Sequence, residues 1–392
     1  MPASGPLRPD VDPHGLMEFS VVFSDRSLNH MSQAFQEVMR DISTMLRQVY
    51  NAEAVAVIPG GGTCAMEAVA RQFANEGSVL VLRNGWFSYR WSQIFVAGSL
   101  TEAETVLKAL PVVGGARQGG GTPAASGVGT PTPFSPAPLE EAVARIRQLR
   151  PQVVFAPHVE TSAGVILPEE YIKALGQAAH EVGALFVLDC IASGCVWVDM
   201  KATGVDVLIS APQKGWSSQP CAGLVMLSER ARARVKETTS SSFALDLGKW
   251  LSITETYEGG GHAYHATLPT DGLTVFRDTM AESMEYGLDR LEAAQWELGQ
   301  GVRALLAKRG VTSVAAEGFG APGVVVGYTD DPEVKSGRAF VKAGAQIAAG
   351  VPLQCDEPEG FSTFRLGLFG LDKLYDVPAT LARLDGVFDE VF

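Results

Sequence analysis

Short, unbroken apolar runs separated by segments of helical spacing set the rhythm of this chain. The run before the glycines at 60–62, the run in SVLVLRNG, VVFAPH ending at His158, the run ending at Asp189 and the run ending near Ser210 all read as strands. A strand covered on both faces shows a continuous apolar run, whereas a half-exposed one alternates. Over 32–50, Phe35, Val38, Met39, Ile42, Met45, Leu46 and Val49 recur at the spacing of an amphipathic helix. Further helices are expected after Thr63, over 139–149, over 169–181 and, short, between Asp189 and the next strand. Strand and helix alternating in this way predict a mostly parallel sheet with helices on both faces. AGLVMLS at 222–228 follows a Gln219-Pro220 turn and is expected to return antiparallel beside that sheet.

The second half of the chain is patterned differently. A charged helix near 230–236 and a glycine-rich loop, YEGGGHAYHATLPTDG, precede a long helical run over about 270–309. Beyond it, VTSVAAE, PGVVVGYT, a helix near 337–349, FRLGLFG and a terminal helix make a second αβ block. A division near Arg277 follows, with a lead at 1–20, a large domain at 21–276 and a smaller one at 277–392. Within the first, residues 114–138 are rich in Gly, Pro, Ser and Thr. Such a composition cannot bury enough apolar area to offset ordering, so a mobile surface insertion is expected there.

Composition narrows the class. Of 392 residues, 46% are hydrophobic and 19% charged, as in a globular protein. A net charge of −13 argues against a nucleic-acid partner, which is met by a basic face. No apolar run is long enough to cross a membrane, and the first residues carry no targeting pattern. Cys64, Cys190, Cys195, Cys221 and Cys355 show no paired or zinc spacing, which fits reduced thiols in the cytoplasm.

Candidate chemistry gathers at strand ends. Asp189 and Lys214 are 214 − 189 = 25 residues apart, enough for strand, crossover and strand, so both are expected on one rim of the sheet. An acid against a pyridine nitrogen and a Schiff-base lysine are the two groups that pyridoxal phosphate chemistry takes from a protein. Gly60, Gly61 and Gly62 followed by Thr63 lie between a strand and a helix, where free N–H groups attract an anion. The pattern matches neither the Walker nor the dinucleotide motif, which points to a single phosphate. Trp86, Phe87, Tyr89 and Trp91 follow the second strand, and one of them could stack on a flat ring.

In this order and spacing, PGGGTCAMEAVA, NGWF with Arg90, HVETSAGV, LDCIAS, SAPQK, AYHATLPT and FRLGLFG resemble the class V aminotransferase family of fold-type I enzymes, nearest its alanine:glyoxylate and serine:pyruvate branch. The resemblance spans roughly 29–371. It implies a seven-stranded-type parallel sheet with a smaller C-terminal α/β domain, pyridoxal 5'-phosphate as cofactor, and ping-pong transfer of an amino group from alanine or serine to glyoxylate or pyruvate. By the same resemblance Lys214 would form the Schiff base and shuttle the proton, and Asp189 would hold the pyridine nitrogen. Phe87 would stack on the ring. Gly61, Gly62, Thr63 and Gln213 would hold the phosphate, with Thr161 and Ser193 beside the ring. Tyr264 and Thr267 would reach the neighbouring subunit's cofactor in a homodimer, and Arg365 would grip the substrate carboxylate. His158 and Glu160 are candidates for a supporting role, while His262 and His265 read as loop residues.

Two other readings share the fold. A 2-aminoethylphosphonate transaminase needs a cationic phosphonate pocket, for which the sequence offers no clear second arginine. A cysteine desulfurase type of lyase usually has histidines where this chain has Phe87 and Gln213, although Cys355 sits in a loop-like position where a catalytic thiol could be. The chain also enters at VVFSDRSLNHMS in place of the family's Gly-Pro-rich opening, which leaves the accepted amino acid open.

Overall fold

The computed structural model describes residues 11–75, 77–112 and 131–392. Seven strands form the central sheet in the spatial order Ala54–Pro59, Ala222–Leu227, Val207–Ser210, Leu185–Asp189, Val153–Pro157, Val79–Arg83 and Glu104–Lys108. Neighbours are parallel except at Ala222–Leu227, which runs antiparallel to both of its partners. This is the return strand read from AGLVMLS. The unbroken apolar runs are explained by burial: every residue of the strands Val153–Pro157, Leu185–Asp189, Val207–Ser210 and Ala222–Leu227 is buried. Helix Gln33–Tyr50 starts at Ser32, whose side chain accepts from Phe35 N, and sinks Phe35, Met39, Ile42 and Leu46 into the core.

A second, three-stranded antiparallel sheet has the order Val324–Tyr328, Thr363–Gly367 and Ala348–Ala349. Helices Leu288–Lys308 and Val377–Val391 cover it, and Leu298, Val302, Phe340, Phe364 and Phe388 form its core. Arg365 rides on the middle strand of this sheet.

Several elements depart from the sequence pattern. The helical run over 270–309 is two helices, Thr270–Tyr286 and Leu288–Lys308, because Gly287 takes φ 105° and ψ 119°, outside helical space. The helix expected over 337–349 stops at Lys342; Gly344 enters the left-handed region at φ 78°, and Ala348–Ala349 pairs as a strand instead. VTSVAAE forms only isolated bridges, Ser313 to Gly327 and Ala315 to Phe134. The aromatic stretch after Gly85 is the start of a helix, Trp86–Gly98. Helix Leu247–Glu258, capped by Asp246, lies where no element was read. Of the insertion at 114–138, residues up to 130 fall outside the described residues. Its end is not a mobile surface, since Phe134–Ser135 pairs with Leu110–Pro111 and Phe134 is buried. Among the described residues no helix is long and apolar enough to cross a membrane.

Candidate active site

The sheet delivers its chemistry at the carboxyl ends of its parallel strands. Asp189 closes the strand Leu185–Asp189 and pairs in register with Pro157 on one side and Ile209 on the other. It is 8% exposed, and Oδ1 accepts one hydrogen bond, 2.9 Å from Ile191 N. Burial pushes its carboxyl up to about 7; the Ile191 N–H pulls down, the Glu160 charge pushes up and the Arg90 charge pulls down.

Lys214 lies in the turn after Val207–Ser210. Its Nζ stands 5.3 Å from the centre of the Phe369 ring, and it makes no ion pair among the described residues. Burial, helped by the nearby positive charge of Arg365, lowers its proton affinity. Arg365 reaches the same space from the second sheet, with Nε donating to Ala349 O at 2.8 Å and Cζ 5.5 Å from the centre of the Phe87 ring. Burial lowers its affinity for a proton, while Glu160 raises it.

The glycine turn forms a cradle beside Asp189. Helix Gly62–Phe73 begins at Gly61, which offers no side-chain cap, so its first N–H groups face outward. A Cβ at Gly62 would stand 2.4 Å from Ile191 Cδ1, which shows how tightly the cradle packs on the loop after Asp189. Thr63 Oγ1 accepts from Arg90 Nη1 at 2.9 Å, and Arg90 Cζ is 5.1 Å from the centre of the Phe87 ring. Two guanidinium groups therefore flank one ring.

The remaining residues fall into two groups. Ser193 Oγ is 2.7 Å from His158 Nδ1, both buried, and burial holds the His158 imidazole down at about 4. Thr161 is half-buried in the turn between the paired strands Val159–Glu160 and Val165–Ile166. Gln213 neighbours Lys214 in its turn. Tyr264 and Thr267, by contrast, bond to each other at 3.3 Å, Tyr264 is 55% exposed and packs on His30, and neither shares a hydrogen bond or ring contact with the rest. His265 bonds Phe243 O and packs on Trp250, and His262 packs on His30, as loop residues do.

Two findings were not legible beforehand. Arg90, quoted in the sequence beside NGWF without a role, is a second arginine at the Phe87 ring; its place three residues after Phe87 is a signal only where a helix is read. Cys355 is buried, its Sγ is 3.2 Å from Arg83 O, and burial pushes its thiol up to about 12, so it is no ready thiolate.

Three features of the rim lack a counterpart among the described residues. Asp189 accepts a single N–H, Lys214 has no acid, and the Gly62 helix has no cap. A phosphate at the helix N-terminus, a carbonyl carbon at Nζ and a ring nitrogen at Asp189 would meet the exposed capacities of this rim together. The residues fit pyridoxal phosphate.

Comparison with known proteins agrees. Residues 136–320 match the family described as aminotransferase class-V. A protein named soluble hydrogenase, small subunit, from Synechococcus sp. is 26% identical over 374 residues, covering 93% of this chain and 88% of that protein. The alanine–glyoxylate aminotransferase of Rattus norvegicus is 28% identical over 270 residues, 67% of this chain but 58% of that enzyme's length. Among solved structures, the alanine–glyoxylate aminotransferase of Nostoc sp. superposes with a TM-score of 0.74 at 22% identity, covering 93% of this chain and 89% of that one. The matched segment relates this chain to the class-V aminotransferases, and the likeness supports a pyridoxal-phosphate-dependent transaminase.

Proposed function

We propose that this protein moves an amino group from a small amino acid, alanine or serine, to a 2-oxo acid, glyoxylate or pyruvate, in two half-reactions at one site. The observation that carries the reading is the meeting of Lys214, from the turn after the large sheet and over the Phe369 ring, with Arg365, from the small sheet and over the Phe87 ring. Pyridoxal phosphate, when bound, supplies the electron sink for charge released at the substrate α carbon.

The chain's own residues do the rest. Asp189 presents a buried carboxylate to a ring nitrogen and holds a proton there. Lys214, its proton affinity lowered by burial, offers Nζ as nucleophile and then takes and returns the α proton there. Arg365 has four further N–H donors once Nε is spent on Ala349 O, enough for a bidentate grip on a carboxylate. Phe87 covers the ring, while Gly61, Gly62, Thr63 and Gln213 hold the phosphate and Thr161 and Ser193 line the ring's edge.

Tyr264 and Thr267 turn outward in this chain, which supports a homodimer in which they complete the neighbour's site. Exposed Leu16, Phe19, Val21 and Phe243 supply apolar surface for such an interface. The site lies where residues 21–276 and 277–392 meet as two domains, and the five free cysteines fit the cytoplasm. A donor bearing a phosphonate is a second reading, favoured by Arg90 alone.

The test is the visible absorbance of the cofactor-loaded protein on adding alanine, serine, cysteine and 2-aminoethylphosphonate separately. Bleaching by alanine or serine, reversed by glyoxylate or pyruvate, is expected. Sulfide release from cysteine without reversal would move the chain to the lyases, and bleaching by the phosphonate alone would install the second reading.

A further inference from the structure

Helix Trp86–Gly98 brings Phe87 and Arg90 to the site, yet it begins at a glycine that has no side chain to cap it. Its first turn is satisfied from far away in sequence. Glu160, fully buried, accepts from Phe87 N at 3.1 Å and from Ser88 N at 2.9 Å, 73 and 72 residues distant. It also accepts from Ser88 Oγ at 2.6 Å, Ser162 N at 3.1 Å and Ser162 Oγ at 2.7 Å. Trp86 N, the remaining donor of the turn, goes to Ser162 Oγ at 2.9 Å. The carboxylate thus has five donors and no ion-pair partner among the described residues; the helix N-terminus supplies the opposing charge.

The seat admits nothing larger. A Cβ at Gly85 would lie 2.7 Å from Glu160 Cγ and 2.1 Å from Ser162 Oγ. Because Glu160 ends one strand of the short hairpin whose turn holds Thr161, it joins two segments that both face the ring site. Its negative charge also bears on Asp189 and Arg365.

We propose that Glu160 is a positioning residue: a buried carboxylate that fixes the first turn of the Trp86 helix, and through it the Phe87 ring, against the cofactor. The inference rests on the reading that Phe87 stacks on pyridoxal phosphate. A carboxylate spent only on folding would set stability and leave the ring's grip alone. A carboxylate that aims Phe87 must lose its effect on that grip once the ring is gone.

This is a double-mutant cycle read in cofactor dissociation constants, measured by absorbance titration of the apoprotein with pyridoxal phosphate and, separately, with pyridoxal. Phe87→Ala is expected to weaken both ligands about 5- to 10-fold, the range of a stacked aromatic contact. Glu160→Gln, which keeps the shape but sets an amide N–H against backbone N–H donors, is expected to weaken both by a similar factor. The double variant is expected to be no weaker than the worse single one. Ser162→Ala removes one of the five donors and the Trp86 N–H acceptor, and is expected to give about a 3-fold loss with the same dependence on Phe87. It carries the test if Glu160→Gln does not fold. Losses that multiply in the double variants, or unchanged affinity in a folded Glu160→Gln or Ser162→Ala protein, overturn the proposal. Failure of the wild-type protein to bind pyridoxal phosphate would instead overturn the assignment of Phe87 to the ring.

Discussion

Two carboxylates are buried in the same rim, and they are provisioned differently. Asp189 receives one N–H, from Ile191, whereas Glu160 receives five donors. A buried carboxylate has room for about four lone-pair contacts. Glu160 has filled its capacity inside the protein and is a fixed part of the scaffold. Asp189 has not, and burial therefore drives its carboxyl up to about 7. What a site keeps for its ligand can be recognised by what the fold leaves unspent. The same contrast separates Arg365 and Lys214, which have no acid partner among the described residues, from Arg277 and Arg309, which each hold two.

The strongest break in this contrast is at Lys214. Lys214→Ala removes the unspent amine and is expected to lower turnover by on the order of 10²–10⁴-fold or more, with the far-ultraviolet circular dichroism unchanged. Near-normal turnover would mean that the rim is not the reaction centre.

Asp189 comes next, and here the contrast predicts a gain. In the ligand-free protein the folded carboxyl binds its proton up to about pH 7, against an ordinary value of 3.8. The folded state thus holds a proton that the unfolded chain releases, and stability from this group is full below about pH 4 and lost as pH rises through 7. Asp189→Asn should therefore stabilise the apoprotein at pH 8 by up to a few kcal/mol and leave it unchanged near pH 4. Thermal unfolding of both proteins across this range checks it. A destabilised variant at pH 8 would show that Asp189 is as fully used by the fold as Glu160. In the loaded enzyme the same substitution should cost most of the rate, because the ring nitrogen loses its partner.

Much of this rim could be read from the chain because buried parallel strands write themselves as unbroken apolar runs. Asp189, Lys214 and the Gly61–Thr63 turn stand at or just past the ends of such runs, so position made them candidates and the resemblance gave them roles. Arg365 needed more, since it stands inside its strand rather than at the end of an apolar run, and only the FRLGLFG resemblance singled it out. Glu160 and Arg90 were not assigned these contacts. The cap that Glu160 provides joins residues 72 apart, and a pattern that repeats every few residues carries no trace of it. Arg90 stands in the motif with NGWF, but an aromatic stretch after a strand does not read as a helix, so its spacing from Phe87 carries no meaning in the sequence. Gly287 was overlooked for a related reason: one glycine in a helical pattern is usually tolerated, and only its backbone angles show that the helix breaks there.

Arg365→Ala should act on substrate more than on cofactor. Loss of a charge-assisted bidentate contact is expected to raise KM for the amino donor roughly 10- to 100-fold, with a smaller change in kcat. Steady-state kinetics with alanine or serine test it. If both constants stay unchanged, the carboxylate is held elsewhere and Arg365 belongs with the spent residues.

The smallest expected effect decides what Arg90 is for. Its Nη1 is committed to Thr63 Oγ1, at the first turn of the helix proposed to hold the phosphate, and the backbone there offers only partial charges. A full positive charge at that edge should strengthen the grip on a phosphate. Arg90→Gln is therefore expected to raise the dissociation constant for pyridoxal phosphate roughly 3- to 10-fold, as befits a charged contact partly open to solvent, and to leave pyridoxal unaffected. Added salt should shrink the difference. The substitution at Glu160 is expected to weaken both ligands alike, so the pair of variants separates grip on the phosphate from grip on the ring. If Arg90→Gln leaves both ligands unmoved and raises KM for 2-aminoethylphosphonate alone, Arg90 faces the substrate. The flanking of Phe87 by two guanidinium groups then becomes the mark of a doubly anionic donor.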